Sequence, residues 1–169
     1  MIGFIKLLSR TRSITSLNTQ PHHRLSRYGP LVLWATLIFV GSTSVLSASH
    51  TSALLRVFLR IFPQASEATL GTIHFLLRKA GHFTEYAILA LLAARALRTS
   101  TRELLRTRWF WLSLLLVVLY ALGDEFHQSF VPSRTASIYD SMIDTLGGLT
   151  ALAFLTIRKY RTHRQDLHD

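Results

Sequence analysis

The stretch WFWLSLLLVVLYALGDEF, residues 109–126, is a long apolar run that ends in two adjacent acids. Leu112 to Leu122 carries no charge, and Trp109 with Trp111 suits the aromatic belt at a membrane interface. At ~1.5 Å per residue, a run of this length approaches the ~30 Å hydrocarbon core of a bilayer. It predicts a transmembrane helix that closes on Asp124 and Glu125.

Three more stretches are predicted to span the membrane: residues 28–47, 80–97 and 138–157. The first includes the uncharged run LVLWATLIFV, whereas the second is alanine-rich but has polar groups near its start. The last contains Gly147-Gly148, a pair that permits close helix contact. The predicted fold is therefore all-α, a polytopic membrane protein with four transmembrane helices.

The connection between the first two spans is predicted to be an interfacial helical loop. Within residues 50–79, apolar side chains recur at helical spacing from Leu54 to Phe62. Ser66 with Glu67 then marks the start of a second short helix, which leads to the next span. Three segments result: a basic arm at 1–27, the transmembrane domain at 28–158 and a tail at 159–169. The arm and first run also resemble a cleavable signal peptide, although an uncleaved anchor fits the length of the run better.

Charge predicts both the class of partner and the orientation. The chain carries a formal net charge of +10, but nearly half of it is hydrophobic, so nucleic acid is not expected as a partner. Of the nineteen Lys and Arg residues, five lie in the arm, five in residues 95–108 and four after Ile157. The positive-inside rule therefore places both termini in the cytoplasm. Because the chain has no cysteine, thiolate sites are excluded.

Polar residues gather at the three helix ends that this topology sends outward. Ionisable groups at membrane depth are costly, so such a cluster indicates function. The candidate catalytic residues are His82, Glu85, Asp124, Glu125, His127, Asp140 and Asp144, and the candidate substrate-binding residues are Lys79, Tyr86, Gln128 and Arg134. Several pairs are three or four residues apart, which places them on one helix face.

Five carboxyls in one layer of the membrane cannot all be ionised and unpaired, which leaves several ways of balancing their charge. Lys79 and Arg134 can form a structural ion-pair network with them. A divalent metal, zinc or manganese, can bind His82, Glu85, His127 and one or more of the aspartates. Alternatively, the basic residues bind an anionic substrate while a His and acid pair transfers a proton, or the cluster serves as a proton relay. The sequence does not decide among these possibilities.

The order of these motifs resembles the VanZ-like family. The motifs are RKxxHxxEY at 78–86, DExHQxFxPxR at 124–134 and DxxxDxxG at 140–147. The resemblance covers roughly residues 30–157. It implies a small bacterial membrane protein with four spans, from a family whose namesake is associated with resistance to the glycopeptide antibiotic teicoplanin.

Together these observations predict a bacterial inner-membrane protein that binds or processes an envelope lipid or a peptidoglycan precursor. A non-catalytic membrane module and a small transporter are the alternatives. The apolar stretches below the outer third of the bundle, Leu89 to Leu97 and Leu112 to Leu119, offer no acidic step for a transport path.

Overall fold

The computed structural model describes residues 20–42, 60, 62, 64, 66–130 and 137–165, and this part of the chain is helical, as predicted. Its helices are α1 (Gln20–Gly41), α2 (Glu67–Arg98), α3 (Glu103–Thr107), α4 (Trp109–Gln128) and α5 (Ile138–Gln165). The short α3 belongs to the turn between two long helices. The arm up to residue 19, much of the connection between α1 and α2, and residues 131–136 lie outside the described residues.

The four long helices run up and down in chain order. α1 lies antiparallel to α2, since Trp34 Nε1 donates to the Glu85 carbonyl at 2.9 Å and Arg95 donates to the Ser26 carbonyl at 3.4 Å. α4 and α5 are also antiparallel, and Ser141 Oγ donates to the Ala121 carbonyl at 3.3 Å. α2 packs against each of the other three long helices. The end of α4 and the start of α5 therefore lie beside the same part of α2.

Three of the long helices extend well beyond their predicted bounds, and one of them, α5, continues to Gln165 inside the predicted tail. α1 begins at Gln20, inside the predicted arm, since Pro21 in a first helical turn costs no backbone hydrogen bond. α2 is one continuous helix from Glu67, where the sequence predicted a short helix separate from the span. Its start follows the prediction: Ser66 is the N-cap, and Ser66 Oγ accepts from the Thr69 N–H at 3.2 Å. No proline interrupts residues 67–98, so nothing ends the helix before the span begins.

Large apolar side chains point outward from this bundle, and small or polar ones point inward. Leu33, Leu119 and Phe154 are each more than half exposed, while Ala90, Ala93 and Ala94 are fully buried. A soluble protein places its large apolar side chains inside, whereas helices in a bilayer meet through small residues. The bundle therefore has the side-chain distribution of a membrane protein.

Two helices are long and apolar enough to cross a membrane within the described ranges: α4, and residues Ile138–Arg161 of α5. Only 28% and 33% of the 18-residue apolar stretch of these helices is buried, whereas the core helix of a soluble protein is mostly buried. α1 and α2 do not reach the same apolar standard over their described lengths. Arg24 and Arg27 lie in α1, and Arg78, Lys79 and Glu85 lie in α2.

The predicted glycine contact is present and draws α5 against two helices at once. A Cβ on Gly147 would lie 2.2 Å from the Phe83 carbonyl oxygen of α2. A Cβ on Gly148 would lie 2.7 Å from Val117 Cγ1 of α4. Neither position has room for a side chain without movement. This approach places the first two turns of α5, with Asp140 and Asp144, against α2 and α4.

Candidate functional site: a buried carboxylate and histidine cluster

Three ionisable side chains from three different helices meet inside the bundle. They are His82 of α2, Asp124 of α4 and Asp144 of α5, hereafter the His82 cluster. One ligand-type atom from each lies within 4.8 Å of the other two. His82 Nδ1 and Asp144 Oδ1 are 3.5 Å apart. The helix faces that the spacing predicted for these three residues do converge.

The two aspartates are buried with oxygen atoms left without hydrogen bonds. Asp144 is 0% exposed, and neither of its carboxylate oxygens has a hydrogen-bond partner among the described residues. Asp124 is 4% exposed; its Oδ2 accepts from Gln128 Nε2 at 2.9 Å, and its Oδ1 has no such partner. Buried polar atoms are normally hydrogen-bonded, and an uncompensated buried charge is expensive. The cluster therefore requires protons or a cation.

A second group lies next to the cluster, where Arg78 and Lys79 share the carboxylate of Asp140. Arg78 Nη2 is 3.5 Å from Asp140 Oδ2, and Lys79 Nζ donates to Asp140 Oδ1. The Lys79 ammonium also lies 5.1 Å from the centre of the Phe75 ring. Asp140 is nearly buried, whereas the side chain of Arg78 is 33% exposed. We call Arg78 and Lys79 the basic pair.

Glu125 joins the two helices on which the cluster depends. Its Oε2 accepts from the Ser137 N–H at 2.8 Å, at the start of α5. Ser137 also supports the first turn of α5, since its carbonyl accepts from the Asp140 N–H at 2.8 Å. A carboxylate at a helix N-terminus is favoured by the helix dipole. Glu125, a candidate catalytic residue in the sequence, thus has a structural contact.

Tyr86 and Gln128 are fully buried beside the cluster. Gln128 holds Asp124, as described above. The Tyr86 hydroxyl has no hydrogen bond of ordinary geometry, but it lies near enough to Asp124 and Asp144 to interact with both electrostatically. Its ring centre is 6.2 Å from that of Tyr120. The Tyr86 hydroxyl is therefore placed to interact with the carboxylates of the cluster.

Two of the remaining predicted residues, His127 and Glu85, do not join the His82 cluster. The His127 ring packs on Phe39 of α1, with ring centres 4.7 Å apart. Glu85 is half-buried on the same helix as His82, but it is not one of the three residues whose ligand atoms converge. Arg134 lies outside the described residues. The metal ligand set considered from the sequence, which included Glu85 and His127, is therefore reduced to His82 and two aspartates.

Sequence reasoning omitted Arg78 from the candidate residues. Its partner Asp140 lies on α5, so the ion pair depends on how α2 and α5 are placed. The available signal was its position directly before Lys79 in a motif that already contained both.

Residues 28–159 match the family model VanZ/LLP1. The match covers most of the chain and includes every residue of the two groups described above. The chain therefore belongs to the VanZ/LLP1 family. Searches of curated proteins and of solved structures returned no match.

Proposed function

We propose that this chain is a four-span protein of a bacterial inner membrane whose polar site faces outward and binds or processes an anionic envelope lipid or cell-wall precursor. Fourteen of its nineteen Lys and Arg residues lie at the other end of the bundle or in the adjoining segments, which supports cytoplasmic termini. The site then lies near the outer headgroup layer. The exposed large apolar side chains of the bundle and the membership of the VanZ/LLP1 family support a location in a membrane.

The observation that carries this proposal is the basic pair beside the His82 cluster. Two cationic side chains, Arg78 and Lys79, share the single carboxylate of Asp140, so this group retains positive charge. Arg78 Nε is also buried without a hydrogen bond. Guanidinium and ammonium groups are the usual partners of phosphate and carboxylate. The group is therefore suited to hold an anionic headgroup next to the cluster, and Arg134 is proposed to join it.

Chemistry on the bound headgroup would fall to the cluster itself. The His82 imidazole lies beside the Asp144 carboxylate, which is the arrangement that orients a histidine for proton transfer. Tyr86 supplies a hydroxyl without a hydrogen bond at the same place. Binding requires only the basic pair, whereas processing requires these groups as well.

A second candidate function is a non-catalytic membrane module. It is favoured by the ion pairs of Asp140, since Lys79 and Arg78 already neutralise a buried carboxylate and join α2 to α5. Transport has weaker support. Below the cluster, the interior between α2, α4 and α5 consists of residues such as Leu89, Val117 and Leu152, all fully buried.

Binding is tested with full-length protein in nanodiscs, titrated with a polyprenyl phosphate. Lys79→Ala is expected to weaken binding at least tenfold, because a charge-assisted contact is lost. Arg95→Ala, a matched change at the opposite end of α2, is expected to leave binding unchanged. If Lys79→Ala instead lowers only the amount of folded protein, with normal binding per folded molecule, the structural network is the better explanation.

The resistance role implied by the family is proposed to depend on the same site. Expression of the chain in a susceptible bacterium is expected to raise the minimum inhibitory concentration of teicoplanin. The Lys79→Ala variant, expressed to the same level, should lack the effect. An equal rise with both chains would separate resistance from this site.

A further inference from the structure

We propose that the His82 cluster is a metal site that binds one divalent cation of the Zn²⁺ or Mn²⁺ type through His82, Asp124 and Asp144. The proposal is independent of lipid binding, which requires only the basic pair, but a cation bound here would replace the proton-transfer role proposed for His82 and Asp144. Their placement on three helices means that the cation would also fasten α2, α4 and α5 together.

Geometry is the first argument. Ligand atoms bound to zinc at ~2.0–2.1 Å in a tetrahedron lie about 3.3 Å apart. His82 Nδ1 and Asp144 Oδ1 are already 3.5 Å apart, and the most distant pair among the three residues is within 4.8 Å. Small rotations of carboxylates that have free oxygens would close the remaining distance. Three protein ligands leave one position open for water or a substrate oxygen.

The unsatisfied atoms are the second and independent argument. Both Asp144 oxygens and Asp124 Oδ1 are buried without hydrogen bonds, and so is His82 Nδ1. These atoms belong to the same three residues that converge. Buried acceptors without hydrogen bonds call for a proton, a water or an ion at this point.

Charge is the third argument. Within the part of the chain that the structure describes, Arg78 and Lys79 are paired with Asp140 rather than with Asp124 or Asp144. Two buried carboxylates with a neutral imidazole carry a charge that one divalent cation cancels in full. The rival balance is protonation, with a charged His82 facing Asp144 and a proton on Asp124.

The donor set indicates which cations to expect. One imidazole nitrogen with two carboxylates suits Zn²⁺, Mn²⁺ and similar ions. Calcium and magnesium prefer oxygen ligands throughout and usually take more of them. The Gln128 amide that holds Asp124 at 2.9 Å is the kind of supporting contact that orients a metal ligand.

The test uses full-length protein purified in detergent with a tag that lacks histidine. After treatment with a chelator, the protein is incubated with ZnCl₂ or MnCl₂ and dialysed, and bound metal is measured by mass spectrometry. About one equivalent of one cation per chain is expected. Asp144→Asn and His82→Gln, each close in shape to the native residue, should reduce affinity at least tenfold.

His74→Gln is the matched control, because His74 lies about two turns before His82 on the same helix. It should retain wild-type binding. Histidines in the terminal segments contribute the same background to every variant. Absence of stoichiometric metal from wild type, or equal losses in His74→Gln and His82→Gln, would overturn the proposal and favour protonation.

Thermal unfolding gives a readout that survives if a variant folds poorly. A cation bound only to the folded state raises the midpoint of unfolding. ZnCl₂ or MnCl₂ should therefore raise the midpoint of wild type and of His74→Gln, but not that of Asp124→Asn. A rise of the same size in Asp124→Asn would place the cation elsewhere. Polyprenyl phosphate binding can fail while metal binds, so the two proposals are tested separately.

Discussion

Glu125 shows how an acid can support a site through a contact with the backbone. Its carboxylate accepts from the Ser137 N–H where α5 begins, and Asp140 and Asp144 follow within two turns. Any loosening of this junction would move both aspartates. Loss of function on mutation of Glu125 would therefore not by itself mark it as catalytic.

We predict that Glu125→Ala destabilises the protein by about 1–3 kcal/mol, since a buried hydrogen bond to a charged group is lost and a backbone N–H loses its acceptor. The measurement is thermal or denaturant unfolding in detergent. Glu103→Ala is the control, because Glu103 is exposed in α3. Equal unfolding of Glu125→Ala and wild type would argue that Ser137 finds another acceptor.

At this scale the sequence predicted which residues share a helix face but not every contact between helices. Asp140 and Asp144, one turn apart on a helix, had to share a face, and the structure confirms that they do. His127 has the helical spacing of Asp124 and Gln128, and its ring packs on Phe39 of α1. That contact depends on where α1 lies beside α4, and spacing along one helix contains no information about a neighbouring helix.

The close packing of α5 against α2 and α4 depends on two glycines. Gly147 faces backbone atoms of α2, whereas Gly148 faces a side chain of α4. Backbone cannot rotate away as a side chain can, so the two positions differ in how far they tolerate a larger residue. The difference can be measured.

We predict that Gly147→Ala costs at least the ~1–3 kcal/mol typical of overpacking, since its Cβ would lie 2.2 Å from the Phe83 carbonyl oxygen. Gly148→Ala should cost less. Adding Val117→Ala to Gly148→Ala should recover part of the loss, because the opposing methyl groups are removed. Unfolding of the purified variants gives the comparison.

Gly81→Ala is the control for these changes, since a Cβ at this position would meet no atom of another helix within 4 Å. It should be neutral or slightly stabilising because alanine favours a helix. A Gly147→Ala variant as stable as Gly81→Ala would contradict the close approach of α2 and α5.

The sequence largely predicted which segments are helical, but it did not predict where the helices end. The described residues of each predicted span lie almost entirely within a helix, because a long apolar run is a strong helix signal. The continuity of α2 was missed, since the charged residues 78–85 indicated the boundary of a span. Charged groups do not end a helix; Arg78 and Lys79 are accommodated here by Asp140 of α5, a partner that only the folded bundle provides.

For the whole molecule, the decisive question is which side of the membrane the site faces. The chain has no cysteine, so single cysteines can be introduced without background. Ser129 lies at the site end, just after α4, and Thr101 lies at the opposite end, between α2 and α3; both are exposed.

We predict that Ser129→Cys reacts with a membrane-impermeant maleimide on intact cells, and that Thr101→Cys reacts only after the membrane is permeabilised. The reason is the excess of Lys and Arg at the Thr101 end, which is retained in the cytoplasm. Labelling of Thr101→Cys but not of Ser129→Cys on intact cells would indicate the opposite orientation in the membrane. The His82 cluster would then face the cytoplasm, and an outer-leaflet substrate would be excluded.

The close seating of α5 has a consequence for biosynthesis. A nascent chain inserted only as far as α4 holds Asp124 without Asp144 beside it, and an ionisable group that meets lipid is costly. When α5 inserts, Gly147 and Gly148 allow it to pack closely against α2 and α4, and Asp124 becomes enclosed. The site is therefore complete only once α5 has inserted, because a chain that ends after α4 lacks both Asp140 and Asp144.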